Sequence, residues 1–187
     1  MAKTRTQIRR QYEPPPRNRG NLVLIIAAST TLALFGYYHL VALGQLAQTA
    51  QGLTMPDMLL RGYDADDAGS LRAALGQDGL DRLSDLHKTA GTVFPLSFGI
   101  AWLLLIQLNV ARRPLRWVLW VPPLLFVVAD LWENLAIDAM LQSGDAQGVG
   151  LASALTVSRW ALLALSCLAG IAAVFLPAQF RATTKSA

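Results

Sequence analysis

Charge is missing from this sequence in long blocks. No aspartate, glutamate, lysine or arginine occurs from residue 21 to 56 or from 89 to 111, and from 146 to 180 the single charged residue is Arg159. Cysteine is nearly absent too. Cys167 is the only one, inside the last of these blocks, which excludes an intrachain disulfide framework and a cysteine metal site, and leaves it as a small apolar filler. The two histidines, His39 and His87, are too few imidazoles for a His/carboxylate metal centre with an arginine in its midst, so no metal and no cofactor is expected. The amino-terminal basic residues have only Tyr12 for aromatic company, so a nucleic-acid partner is not expected either.

What remains is apolar. The 187 residues are 53% hydrophobic and 15% charged, with a mean hydropathy of +0.39. Crossing a bilayer takes about 20 mostly apolar helical residues. Four segments qualify, at about 22–46, 90–111, 117–141 and 152–176. The expected fold class is therefore all-α: an integral membrane four-helix bundle occupying 21–177. A disordered basic tail (1–20) with the run Pro14-Pro15-Pro16 precedes it, and a short tail (178–187) follows. The first apolar run exceeds the usual 7–15 residues of a signal peptide and no clean A-x-A site follows it, so it reads as an uncleaved anchor.

Orientation follows from the basic residues. Eleven lysines and arginines lie in the two tails and in the 112–116 link, against four (Arg61, Arg72, Arg82, Lys88) in the loop at 50–88. Both termini are thus expected on the cytoplasmic side of a bacterial inner membrane, with membrane lipids as partners. The high pI of about 9.6 then reflects basic tails beside anionic headgroups.

The outer loop carries its own helical signals. Thr54-Met-Pro-Asp57 matches a capping box with an early proline, predicting a short helix through Met58, Leu59 and Leu60. Gly62 to Asp67 reads as a turn ending in an N-cap, followed by amphipathic helices on either side of Gly76, the second running on into the next span. Asp64 to Gly69 also imitates the start of a calcium loop, but position five is Ala68 and position twelve Leu75, where ligands belong, so capping is the better reading. In the second span Phe94-Pro95 predicts a kink whose freed backbone groups Thr92 or Ser97 would satisfy. In the third, Pro122-Pro123 predicts that regular helix starts only there.

The exception to the apolar pattern is Asp130-Leu-Trp-Glu-Asn-Leu-Ala-Ile-Asp138. At 100° per residue Asp130, Glu133 and Asn134 share one face, and Asp138 continues it. Lipid cannot satisfy such a stripe, so it must face protein or water. Glu133 lies about 12 Å from the outer end of its segment, Arg159 about 13 Å and His39 about 10 Å from theirs, at 1.5 Å per residue. The matched depths place Asp130, Glu133, Asn134, Arg159 and His39 in one polar cluster, with Asp138, Ser158 and Tyr38 beside it. An ion pair of Arg159 with Glu133 or Asp130 is expected, leaving carboxylate in excess. A protonated acid, a cationic His39 or a solvated Asp138 would each absorb that excess. His87 reads as an interfacial residue. The cluster is open to three interpretations: polar glue that fixes helix register, a pocket opening outward, or a proton or ion path, which four helices rarely enclose. A serine hydrolase built from Ser97 or Ser158, His39 and Asp130 finds no nucleophile elbow in the sequence.

The combination of Gly62-Tyr-Asp-Ala65, Phe94-Pro-Leu96 and Asp130-x-x-Glu-Asn134 resembles a set of small uncharacterised bacterial proteins with four transmembrane helices. The resemblance covers about residues 35–175. It implies a four-helix bundle in the inner membrane and importance for Asp130, Glu133 and Asn134, but no reaction. The functional expectation is a non-enzymatic accessory or ligand-binding membrane component. The alternatives are a small membrane enzyme using Glu133 or Asp130 as general acid/base on a lipid or isoprenoid, and a structural subunit of a larger complex or homo-oligomer.

Overall fold

The computed structural model describes residues 19–144 and 146–175. The expected tails at 1–18 and 178–187 lie outside them. Every regular element among the described residues is helical. The long helices are α1 (Arg19–Phe35), α3 (Ala65–Lys88), α4 (Ala90–Asn109), α5 (Arg113–Ser143) and α6 (Val149–Phe175), and a short α2 (Leu43–Thr49) follows α1. Three stretches are long and apolar enough to cross a membrane: Arg19–Thr49, the apolar part of Ala65–Asn109, and Val149–Phe175. Arg19 and Gly20, expected in the tail, already continue the helical ladder of the apolar run.

A π-helical turn, Gly36–Ala42, joins α1 to α2, and the N–H of Leu43 reaches the carbonyl of Tyr38 five residues back. This widening turns two consecutive side chains, Tyr38 and His39, into the core while Tyr37 stays exposed. Gly76, at φ 60° and ψ −176°, splits α3 into the two anticipated pieces. Its N-terminus has a reciprocal cap. Asp64 accepts from the N–H groups of Asp66 and Asp67 at 3.0 and 2.9 Å, and Asp67 accepts from the Asp64 N–H. Capping is thus the role of the calcium-like spacing, with the N-cap at Asp64 within the Gly62–Asp67 turn.

Four local expectations fail, each for a physical reason. Residues 54–60 form only a three-residue 3-10 turn, Pro56–Met58, with no side-chain cap, because Asp57 is drawn into the interior by distant donors instead. The helix before residue 88 does not run into the next, since Thr89 breaks it at φ −104°, ψ −93°. Regular helix in α5 starts at Arg113, with Pro114 in its first turn and Pro122 and Pro123 inside it, as packed apolar helices tolerate. Finally, Pro95 has no N–H for the carbonyl of Gly91 four residues back, and the donor that replaces it is Asn134 Nδ2 of α5, at 3.0 Å. Thr92 instead caps the His87 carbonyl, and Ser97 pairs with Thr31.

The helix packing stacks three layers. At one end α3 lays Leu71, Leu75, Leu80 and Leu83 over Leu43, Leu46, Ile137, Met140 and Ala152. A middle layer is aromatic, with Phe94, Phe98 and Phe126 in edge and tilted contacts of 4.8–6.3 Å between centroids. Ile106, Val110 and Ala173 close the opposite end. The polar cluster lies between the first two layers.

A sealed charged cluster beneath residues 51–64

Arg159 is the largest fully buried side chain, 1% exposed, and every nitrogen of its guanidinium has a nearby acceptor. Nε faces Glu133 Oε2 in an ion pair. Nη1 lies 3.2 Å from Asp130 Oδ1 and 3.5 Å from His39 Nε2. Nη2 donates to the main-chain carbonyl of Asp57, and the guanidinium lies over the Trp160 ring at 4.9 Å. Glu133 is 0% and Asp130 1% exposed, so each of these ions depends on its partners for the solvation it has lost.

His39 joins the cluster by Nε2. Its Nδ1 lies 3.3 Å from the Phe35 carbonyl, and one neutral tautomer satisfies both contacts, with Nδ1–H donating and Nε2 accepting from arginine. The ring is stacked on Phe35 at 4.4 Å and edges on to Phe94 and Trp160. Of the expected members, Asp130, Glu133, Asn134, Arg159, His39 and Tyr38 are buried together. Asp138 sits at the rim, 16% exposed, and joins the cluster only through His87. Ser158 is exposed on another face of α6, because it precedes Arg159 by one residue and so stands 100° round the helix.

Two members escaped the sequence reading, Asp57 and His87. His87 is 2% exposed. Its Nδ1 lies 2.6 Å from Asp138 Oδ1 and its Nε2 3.3 Å from Asp57 Oδ1, while Ser84 donates to the other oxygen of Asp138 at 3.0 Å. Burial opposes protonation of His87, but the two flanking carboxylates outweigh it and hold the imidazolium up to about 10. Burial likewise favours neutral Asp57. The His87 and Arg159 charges and the Tyr38 hydroxyl, which donates at 2.7 Å, overcome this and hold its carboxyl well below the usual range. Asp57 is 1% exposed. No local pattern announces it, since its partners come from residues 38, 87, 159 and 160. The excess of acid over Arg159 was the available clue, and His87 is the second cation it called for.

The cluster is closed. Three cavities at the α3 end of the bundle, of about 380, 210 and 290 Å³, are lined by residues of α2, α3, the 51–64 segment and the α5–α6 turn. None of the three is lined by Asp130, Glu133, Arg159 or His39. Among the described residues no group of three or more His, Cys, Asp or Glu side chains is arranged to hold a metal ion. No family model, no curated protein and no solved structure matches this chain.

Proposed function

We propose that the chain is a non-catalytic, multi-pass accessory protein of the bacterial inner membrane. Its polar cluster locks the outer segment to a four-span bundle with both termini in the cytoplasm. The observation that carries this reading is the closure of the cluster: Asp57, Asp130, Glu133 and Arg159 are each at most 1% exposed and face one another rather than a cavity. A general acid or base needs hydrogen-bond reach to a substrate, and no such access favours the enzymatic alternative.

The fourth crossing would be α5. Its acids keep its composition from resembling a span, but they all lie on one side. The opposite side exposes Trp117, Val118, Val121, Val128, Trp132 and Leu135, each more than half accessible, which is a surface for lipid. With α5 as a crossing, Arg159 and its partners would lie inside the outer leaflet, as an intramembrane salt bridge. The resemblance to small four-helix bacterial membrane proteins is part of the proposal, and its motifs have structural reasons here. Gly62 adopts φ +81° with a Cβ position only 2.5 Å from Ser153 Oγ, Pro95 orphans a carbonyl, and Asn134 satisfies it.

A lock predicts that partners fail together. Arg159→Gln strands the carboxylates of both Asp130 and Glu133, at about 3–5 kcal/mol, whereas Glu133→Gln leaves Arg159 its pair with Asp130 and costs less, and the double variant recovers the part of the arginine loss that Glu133 carries. Native mass spectrometry of the protein released from detergent supplies the other arm. A lipid retained stoichiometrically by the wild type and lost on Glu133→Gln would sink the accessory reading in favour of a binding or catalytic pocket.

A further inference from the structure

Asp57 is held as a ligand would be held. Tyr38 Oη donates to its Oδ1 at 2.7 Å, and His87 Nε2 stands 3.3 Å from the same oxygen. Arg159 Nη2 and Trp160 Nε1, the latter at 3.0 Å, both donate to its main-chain carbonyl. The four groups come from the π-helical turn, α3 and α6, and none is near Asp57 in sequence. Acids in turns and caps use neighbouring N–H groups, whereas the Asp57 carboxylate meets only distant groups, both on Oδ1, and its buried Oδ2 has no hydrogen-bond partner. On the far side of the guanidinium, Asp130 and Glu133 fix it so that Nη2 points toward the outer segment.

The segment bearing Asp57 is shaped as a stopper. Met55, Pro56 and Asp57 are buried, while Leu53 and Leu60 face outward at 39% and 60% exposure. Its two ends turn at residues of positive φ, Gln51 (57°) and Gly52 (86°) on one side and Gly62 (81°) on the other. Such positions absorb large backbone changes at low cost when they are glycine.

We propose that Tyr38, His87, Arg159 and Trp160 form a carboxylate-binding site in which Asp57 is the resident occupant. When the 53–61 segment swings outward, this site takes a small carboxylate that also presents a carbonyl oxygen. The anion lies between Tyr38 and His87, and the carbonyl is met by Arg159 and Trp160. The assignment is independent of the accessory role, since a lock can exist without accepting any ligand.

Removing the resident carboxylate tests it. Asp57→Ala leaves a gap that formate fills, because alanine and formate together reproduce the aspartate side chain. The purified variant is melted in detergent in sodium formate, and in sodium chloride and sodium sulfate at equal ionic strength. The Tm of Asp57→Ala is expected to rise in formate by about 3–5 °C per tenfold concentration above the dissociation constant. Wild type, with its site filled, and Asp57→Asn, which keeps an acceptor oxygen there, are expected not to respond. Equal Tm of Asp57→Ala in formate and chloride overturns the site, and a sulfate effect as large as that of formate overturns its carboxylate specificity. If Asp57→Ala is recovered only when formate is present during purification, recovery is the positive result. If it is recovered in neither buffer, Asp57→Gly is melted or purified with acetate, which supplies the missing methylene. No rescue there refutes the proposal.

Discussion

The bond between Asn134 and the Gly91 carbonyl makes a prediction that can be worked through. Pro95 leaves that carbonyl without its helical partner, and Asn134 Nδ2 replaces the missing N–H at 3.0 Å in a buried position. Asn134→Ala therefore leaves a buried acceptor unsatisfied, at about 1–3 kcal/mol. Hydrogen bonds between membrane helices average nearer about 0.6 kcal/mol, with a ceiling of about 1.7. Pro95 offers this carbonyl no N–H in Asn134's place, so a value near about 1–2 kcal/mol is expected. Pro95→Ala restores an N–H at residue 95 and gives Gly91 back its own helical bond. In that background Asn134→Ala should cost less by about 1 kcal/mol, because only its packing is lost. The helix-propensity gain from removing proline, up to about 3 kcal/mol, falls equally on both legs of the double-mutant cycle and cancels. The assay is denaturant unfolding of the four purified proteins in detergent micelles, followed by circular dichroism. Additivity within about 0.5 kcal/mol would refute the claim that Asn134 stands in for the proline's missing donor.

Further outcomes follow from the same structure. His87 is held up to about 10 from an ordinary 6.5, so its contribution is fully present below about 6.5 and fades as pH rises toward 10. Asp57, held low, contributes above its ordinary 3.8 and loses that contribution only as pH falls below it. A Tm–pH profile should decline on the alkaline side, and His87→Gln should flatten that decline; an unchanged slope would argue against the Asp57–His87–Asp138 bridge. Gly62→Ala should destabilise by about 1–3 kcal/mol, since φ is +81° and Ser153 Oγ occupies the Cβ space. Gly69→Ala, with open space in mid-helix, should instead stabilise by about 0.5–1 kcal/mol; thermal melts that rank the two the other way would contradict the structure. For topology, an activity reporter fused after Ala187 should read cytoplasmic, and a periplasmic signal would reverse the proposed orientation.

Much of the architecture was readable from residue order because it rests on short-range physics. Charge-free runs of about 20 residues declare apolar helices, Asp64 and Asp67 declare a cap, and a 100° repeat puts Asp130, Glu133 and Asn134 on one face. Rise per residue even matched the depths of Glu133, Arg159 and His39, because helix length converts directly to distance. Asp57 defeats such reasoning. Locally it completes a capping box with Thr54, and only a chain that folds back over the bundle can offer it Tyr38, His87, Arg159 and Trp160 instead. Likewise Pro95 announces an unsatisfied carbonyl in the sequence, yet the choice of Asn134 over Thr92 or Ser97 depends on how close α5 comes to Gly91. Composition and periodicity determine which helices form and which faces must be covered. Which polar groups meet, and whether they are left open or sealed, is decided by tertiary packing, because a buried charge takes the partner that packing brings within hydrogen-bond distance.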